Sequence, residues 1–268
     1  MAEAAQTNTN GMAARVTAAR WMARLTWCFP GVFILGAGTL ALTFVLYVLY
    51  NPPTRLAESI PTISETASMP PGSWVFHGAS TILAGLILIC WPLNFLMNRH
   101  RFQALAIPGK TIWPLEAMNF IACALGMAAG IFLGLLGVYR LHDGDANHEM
   151  HLWLSIFFYS SQVSAFLFDG VCAIWQRSVL SGLDGPNERL AYRSRRVIAG
   201  TTVVLALWFL YMYLDRAGPW DLYIGQLVYV LTEYTLALFC FAYPFAPFPE
   251  VRHHYTQRLE AVARAAML

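Results

Sequence analysis

Residues Pro61–Gly85 read PTISETASMPPGSWVFHGASTILAG. The first half is polar and punctuated by Pro70-Pro71-Gly72; the second half, from Trp74 on, is an apolar helical run that begins with a single histidine, His77. A Pro-rich turn feeding directly into an apolar run marks a chain that passes from water into lipid. Glu65 and His77 bracket that turn, so polar chemistry is expected at the border between the two phases.

Outward from this stretch the chain remains apolar. Its 268 residues are 57% hydrophobic and 12% charged, whereas an ordinary soluble domain carries about 25% charged residues. A net charge of +2 is too small to argue for a nucleic-acid partner. The five cysteines (Cys28, Cys90, Cys123, Cys172, Cys240) all fall inside apolar runs, so they are expected as membrane-buried thiols and not as an extracytoplasmic disulfide framework.

Upstream, residues 1–25 are polar and Ala-rich, with Arg15, Arg20 and Arg24 ahead of the first apolar run, 26–50. That run is long enough to span, and no small-residue cleavage site ends it, so it is expected as a retained signal anchor. Five more runs of spanning length follow, at about 75–97, 114–138, 150–174, 195–214 and 221–246. Each approaches the roughly 20 residues a helix needs to cross the hydrocarbon core, and an isolated strand cannot satisfy its backbone there. The expected architecture is all-α: a polytopic membrane protein whose residues 26–246 form a six-transmembrane-helix bundle. A polar N-terminal segment, 1–25, precedes it and a C-terminal tail, 247–268, follows it. Pro114 suits the first turn of the third span, and Pro92 is expected to kink the second. Gly126, Gly130 and Gly134 form a stripe of small residues suited to close helix packing.

Orientation follows from the basic residues. With the N-terminus in the cytosol, fourteen of the seventeen Lys and Arg lie on that side, leaving Arg55, Arg140 and Arg216 opposite. The positive-inside rule then places both termini in the cytosol and 51–74, 139–149 and 215–220 outside. Arg193, Arg195 and Arg196 lie together beside the fifth span, a pattern that attracts anionic lipid at about 1 kcal/mol per charge; topology signalling accounts for it equally well.

Few ionisable groups enter the apolar runs: His77, Glu116, Asp169 and Glu233, with His151 at a helix entrance. Each needs a partner or a purpose, because a charge in hydrocarbon is costly. Glu116 and Asp169 read as helix-end or inter-helix hydrogen bonders. Glu233, deep in the sixth run, is expected to bond a neighbouring helix, with Asn119 as partner, or to meet lipid. In the second outer loop, Asp143, Asp145 and Asn147 have the spacing of a calcium loop, but His148 stands where glycine is needed and Leu154 where the bidentate glutamate is needed. His148 and His151, three apart, fit zinc only if His77 or Glu65 supplies a third ligand. The plain alternative is a solvated helix start capped by Asn147. No metal or other cofactor is otherwise expected. The motifs of α/β-hydrolases, zincins, nucleotide-binding loops and dithiol redox sites do not occur.

Five features occur in an order that resembles a known family. They are Pro61-Thr-Ile-Ser-Glu-Thr66, similar to a P-x-I-S-[DE] signature; Phe76-His-Gly-Ala79 opening the second span; Asn94 with Asn98-Arg99 at its inner end; His148-Glu149 before the fourth; and Glu233-Tyr234 in the sixth. The chain resembles the six-span family of the DRAM autophagy modulators and the Sfk and Frag proteins over about residues 25–245. The last two features look most like its branch containing the post-GPI-attachment-to-proteins factor. The resemblance implies a multi-pass Golgi or ER membrane protein that remodels GPI-anchor lipid, as an acyltransferase-type enzyme using an acyl donor or as a lipid-presenting factor. A membrane-protein partner is compatible with either role. In the enzymatic reading, Glu65, His77, His148 and Glu149 converge at the outer face, with His77 as general base and Glu65 or Glu149 orienting it. Ser64, Ser73 and Ser80 are serine candidates without a motif, and the substrate's own hydroxyl is the alternative nucleophile. The competing reading is a non-catalytic lipid-binding scaffold for autophagy, trafficking or lipid asymmetry, with Arg193, Arg195, Arg196, Glu233 and Asn119 as lipid contacts. A transporter would need a polar path that Glu233 alone does not make.

Overall fold

Helices dominate because the sequence offers long apolar runs with no alternation of period two, and turns only between them. The computed structural model describes residues 2–51, 60–139, 145–180, 182, 185–214 and 222–267. In chain order its helices are α1 (Ala2–Leu25), α2 (Cys28–Tyr50), a six-residue α3 (Ile63–Ser68), α4 (Gly72–Leu105), α5 (Trp113–Val138), α6 (Asp145–Val179), α7 (Pro186–Leu214), α8 (Leu222–Ala242) and α9 (Phe248–Ala265). A 3-10 turn at Tyr243–Phe245 joins the last two. Six stretches are long and apolar enough to cross a membrane. The expected second, fourth and fifth spans sit inside helices that run further, α4, α6 and α7, whereas the first, 26–50, begins before α2 and the sixth, 221–246, runs past the end of α8. Pro114 does occupy the first turn of α5, while α4 continues through Pro92.

The long helices run alternately up and down and close into a ring. Neighbours pack in the order α2, α4, α5, α6, α7, α8, and α8 returns to α2. The outside is what lipid demands: Ile34, Leu49, Val204, Leu207 and Leu214 are broadly exposed, a surface no soluble monomer tolerates at this extent. Exposed tryptophans mark the two borders, Trp21, Trp27 and Trp113 at one end, Trp74 and Trp153 at the other. The chain is thus a multi-pass integral membrane protein. α1 and α9 pack on each other at the end that carries both termini, where Arg252 sits 4.2 Å over the Trp27 ring. This is the terminal end, and the opposite one the distal end.

In lipid, helices associate through close packing more than through a hydrophobic drive. The glycine stripe of α5 supplies it. Gly126 lies flat against the Trp91 indole, and Gly130 and Gly134 face Ile87 and Ala84 of α4. The space left at Gly126 lets Trp91 turn inward, where it stacks with Phe166 and Tyr243 at centroid distances of 6.4 and 6.3 Å.

Candidate functional site

The described part of the segment between the first two spans does not lie free above the bundle. Part of it folds as α3 and packs among α2, α4 and α8, with Ile63, Thr66, Ala67 and Ser68 buried. The sequence Thr62-x-x-Glu65 builds a capping box: the Thr62 hydroxyl accepts from the Glu65 N–H at 3.2 Å and the Glu65 carboxylate accepts from the Thr62 N–H at 2.7 Å. Met69 and Pro70-Pro71 end the helix. Two side chains of α8 hold it from beneath. Glu233 accepts a hydrogen bond from the Ile63 N–H at 3.1 Å, and the Tyr234 hydroxyl lies 3.4 Å from that of Thr66. A Cβ on Gly72 would collide with the Thr66 carbonyl, so α3 and the start of α4 touch through bare backbone.

This placement brings Ser64 to His151. The Ser64 Oγ is 2.9 Å from His151 Nε2, and His151 Nδ1 is 2.8 Å from the Tyr139 carbonyl oxygen. A carbonyl only accepts, so Nδ1 carries the proton, and in the neutral ring Nε2 is the lone-pair nitrogen that accepts the serine hydroxyl. His151 is 5% exposed, whereas Ser64 is half-buried. Both line a small cleft with Ala67, Ser68, Phe76, Leu136, Gly137 and Tyr139. Trp74 and Trp153, close in sequence to Phe76 and His151, put the cleft at the depth of the distal interface.

Glu65, His77, His148 and Glu149 are the four residues expected to converge at this border. Among the described residues no hydrogen bond or ion pair joins any two of Glu65, His77, His148 and Glu149. Glu65 is spent on its capping box. His77, exposed on α4, has Nδ1 2.8 Å from the Gly137 carbonyl at the C-terminal end of α5, and no serine hydroxyl meets its ring among the described residues. His148 and Glu149 face outward on the first turns of α6. The zinc pairing also fails, since His148 points to the surface while both ring nitrogens of buried His151 are engaged. Asn147 lies within α6, which starts at Asp145, and so is not its N-cap; Asp143 lies outside the described residues. Of the serines, Ser80 donates to the His77 carbonyl and the Ser73 hydroxyl is buried with no hydrogen-bond partner among the described residues. Ser64 alone meets a histidine ring among the described residues. The sequence held that pairing only as two isolated polar residues at distal helix ends.

At the terminal end a second polar cluster is buried and ion-paired. Arg195, 1% exposed, has Nε 3.1 Å from Asp169, Nη1 2.8 Å from Glu250 and Nη2 donating to Asn94 at 2.8 Å. Arg101 faces Glu250 at 3.2 Å and Glu188 at 3.3 Å. Tyr243 and Asn94 donate to Asp169. This corrects the expectation that Arg195 meets lipid: its guanidinium is ion-paired with Asp169 and Glu250 inside the bundle. Arg193 and Arg196 do remain on the surface. Asn119 is likewise committed, accepting from Asn98 at 3.0 Å and donating to the Phe95 carbonyl at 3.1 Å. Glu233 therefore pairs with Ile63, not with Asn119, and is shielded from lipid. Asp169 is an inter-helix bonder as expected.

Residues 24–253 match the Frag1/DRAM/Sfk1/Cwh43P N-terminal domain family model. No curated protein and no solved structure matches the chain.

Proposed function

Because the chain belongs to the Frag1/DRAM/Sfk1/Cwh43P N-terminal domain family, we propose that it remodels membrane lipid, specifically the acyl chains of GPI anchors, at the distal border of the bundle. The observation that carries this reading is the Ser64–His151–Tyr139 chain of contacts at 2.9 and 2.8 Å in a cleft at interfacial depth. The ester bonds of a glycerolipid lie at that depth, between hydrocarbon and head groups. An imidazole with its lone pair aimed at a hydroxyl is a general base for acyl transfer. The role expected of His77 thus passes to His151. The basic residues described in the structure lie at the terminal end, which the positive-inside rule assigns to the cytosol; the cleft then faces the lumen of the Golgi or ER.

The test is rescue of surface GPI-anchored proteins in cells that lack their lipid-remodelling factor. Wild type is expected to restore them and His151→Gln to fail at equal expression; a wild-type chain that reaches the membrane without restoring them refutes the reading. A non-catalytic scaffold is favoured by one observation only, the exposed Arg193 and Arg196 beside Tyr192 on α7. In that case Arg193→Ala/Arg196→Ala, and not His151→Gln, abolishes rescue.

A further inference from the structure

A serine hydroxyl resting on a histidine is common enough as simple hydrogen-bond satisfaction. Three features of Ser64 go further. In the neutral ring its partner nitrogen is an acceptor, because the Tyr139 carbonyl takes the other ring N–H. The base is buried while Ser64 is half-buried and lines the cleft, so the ring is shielded and the serine borders the cleft. And the helix carrying the serine is immobilised at several points: the capping box, the Glu233 contact to Ile63, the Tyr234–Thr66 contact and the bare-backbone pass at Gly72. Nucleophile, base and a group orienting the base are the three parts that activate a hydroxyl.

We propose that Ser64 is the nucleophile of a two-step acyl transfer, taking an acyl group from a glycerolipid ester onto its Oγ with His151 as base and passing it to a lysolipid hydroxyl. This rests on the remodelling reading of the same cleft and replaces the substrate hydroxyl as the group that first attacks the donor. In the first step the Oγ bonds to the ester carbonyl carbon while His151 Nε2 removes the hydroxyl proton. The donor's alkoxide leaves, takes that proton from Nε2, and departs as a lysolipid. In the second step the acceptor hydroxyl attacks the acyl-serine carbonyl, Nε2 removes its proton, and the Ser64 oxygen leaves and recovers it. One ester is broken and one formed in each step, with no change of oxidation state and no water consumed. The cleft has room for about one water, so only the ester carbonyl enters it. The two acyl chains stay in the bilayer against the exposed flanks beside Trp74 and Trp153.

The experiment uses the full chain in phospholipid nanodiscs and a long-chain alkyl fluorophosphonate, with the modified residue located by peptide mass spectrometry. Wild type and the remote control Ser178→Ala are expected to be modified at Ser64, Ser64→Ala to lose that adduct, and His151→Gln to slow it by about 10²-fold or more, the range of general-base assistance. Thermal melting of each variant accompanies the rates; should His151→Gln unfold, wild type against Ser64→Ala still decides. A folded wild type unmodified at Ser64, or a folded His151→Gln modified at the wild-type rate, overturns the proposal. Cell rescue separates the two ideas. Ser64→Ala that restores GPI-anchored proteins removes the nucleophile and leaves the remodelling reading standing; a wild type modified at Ser64 that restores nothing does the reverse.

Discussion

Glu250 faces the guanidiniums of Arg101 and Arg195 at 3.2 and 2.8 Å, and all three are buried. Truncating one partner of such a cluster leaves uncompensated charge in a place water does not reach, which costs about 3–5 kcal/mol. Glu250→Ala is therefore expected to lower the melting temperature sharply in detergent. The neighbouring exposed Arg193 is expected to show no more than about 0.5 kcal/mol on change to alanine. The contrast is sharp because Arg193, Arg195 and Arg196 are near neighbours in sequence and differ only in the helix face they occupy. Sequence composition groups them as one basic patch; the 100° turn per residue of α7 sends Arg195 alone inward.

At the scale of elements, the bundle depends on two close passes. A Cβ at Gly126 would enter the Trp91 indole, and the inward stack of Trp91 on Phe166 and Tyr243 has nowhere to retreat. Gly126→Ala is expected to cost about 1–3 kcal/mol as overpacking, read as a drop in melting temperature. Gly72→Ala acts differently. Its Cβ meets the Thr66 carbonyl, so α3 must shift bodily and carry Ser64 off His151. Displacement of a reacting group by about 1 Å costs on the order of 10² in rate, so fluorophosphonate modification at Ser64 should fall by that order while the protein stays folded. The six spans were readable because hydropathy is a property of each local window. The same holds for the glycine stripe, whose spacing of four lies within one helix. The place of α3 was not readable, since it is set by Glu233, 170 residues away. Nor was the Ser64–His151 pair, separated by 87 residues and joined only when α3 folds into the ring. Polar residues near the same border looked equivalent in the sequence; which of them touch is decided by helix rotation, and that turned His77 onto a carbonyl of α5 and His151 toward the cleft.

For the whole molecule, the up-and-down ring puts the basic residues of α1, the C-terminal ends of α4 and α6, the start of α7 and all of α9 at one end. Single-cysteine labelling in sealed vesicles tests the side: His148→Cys is expected to react only from the non-cytosolic face and Arg193→Cys only from the cytosolic one; the reverse pattern inverts the topology and turns the cleft toward the cytosol. The terminal cluster has a bearing on how such a chain is made. Arg101 and Arg195 are threaded into the ring while Glu250, their shared counter-charge, still awaits translation. Until the ribosome reaches α9, Arg101 has only Glu188 and Arg195 only Asp169 as acidic partners. The last helix therefore completes the neutralisation that the earlier spans begin, and a chain ending before it leaves each arginine with one carboxylate in place of two.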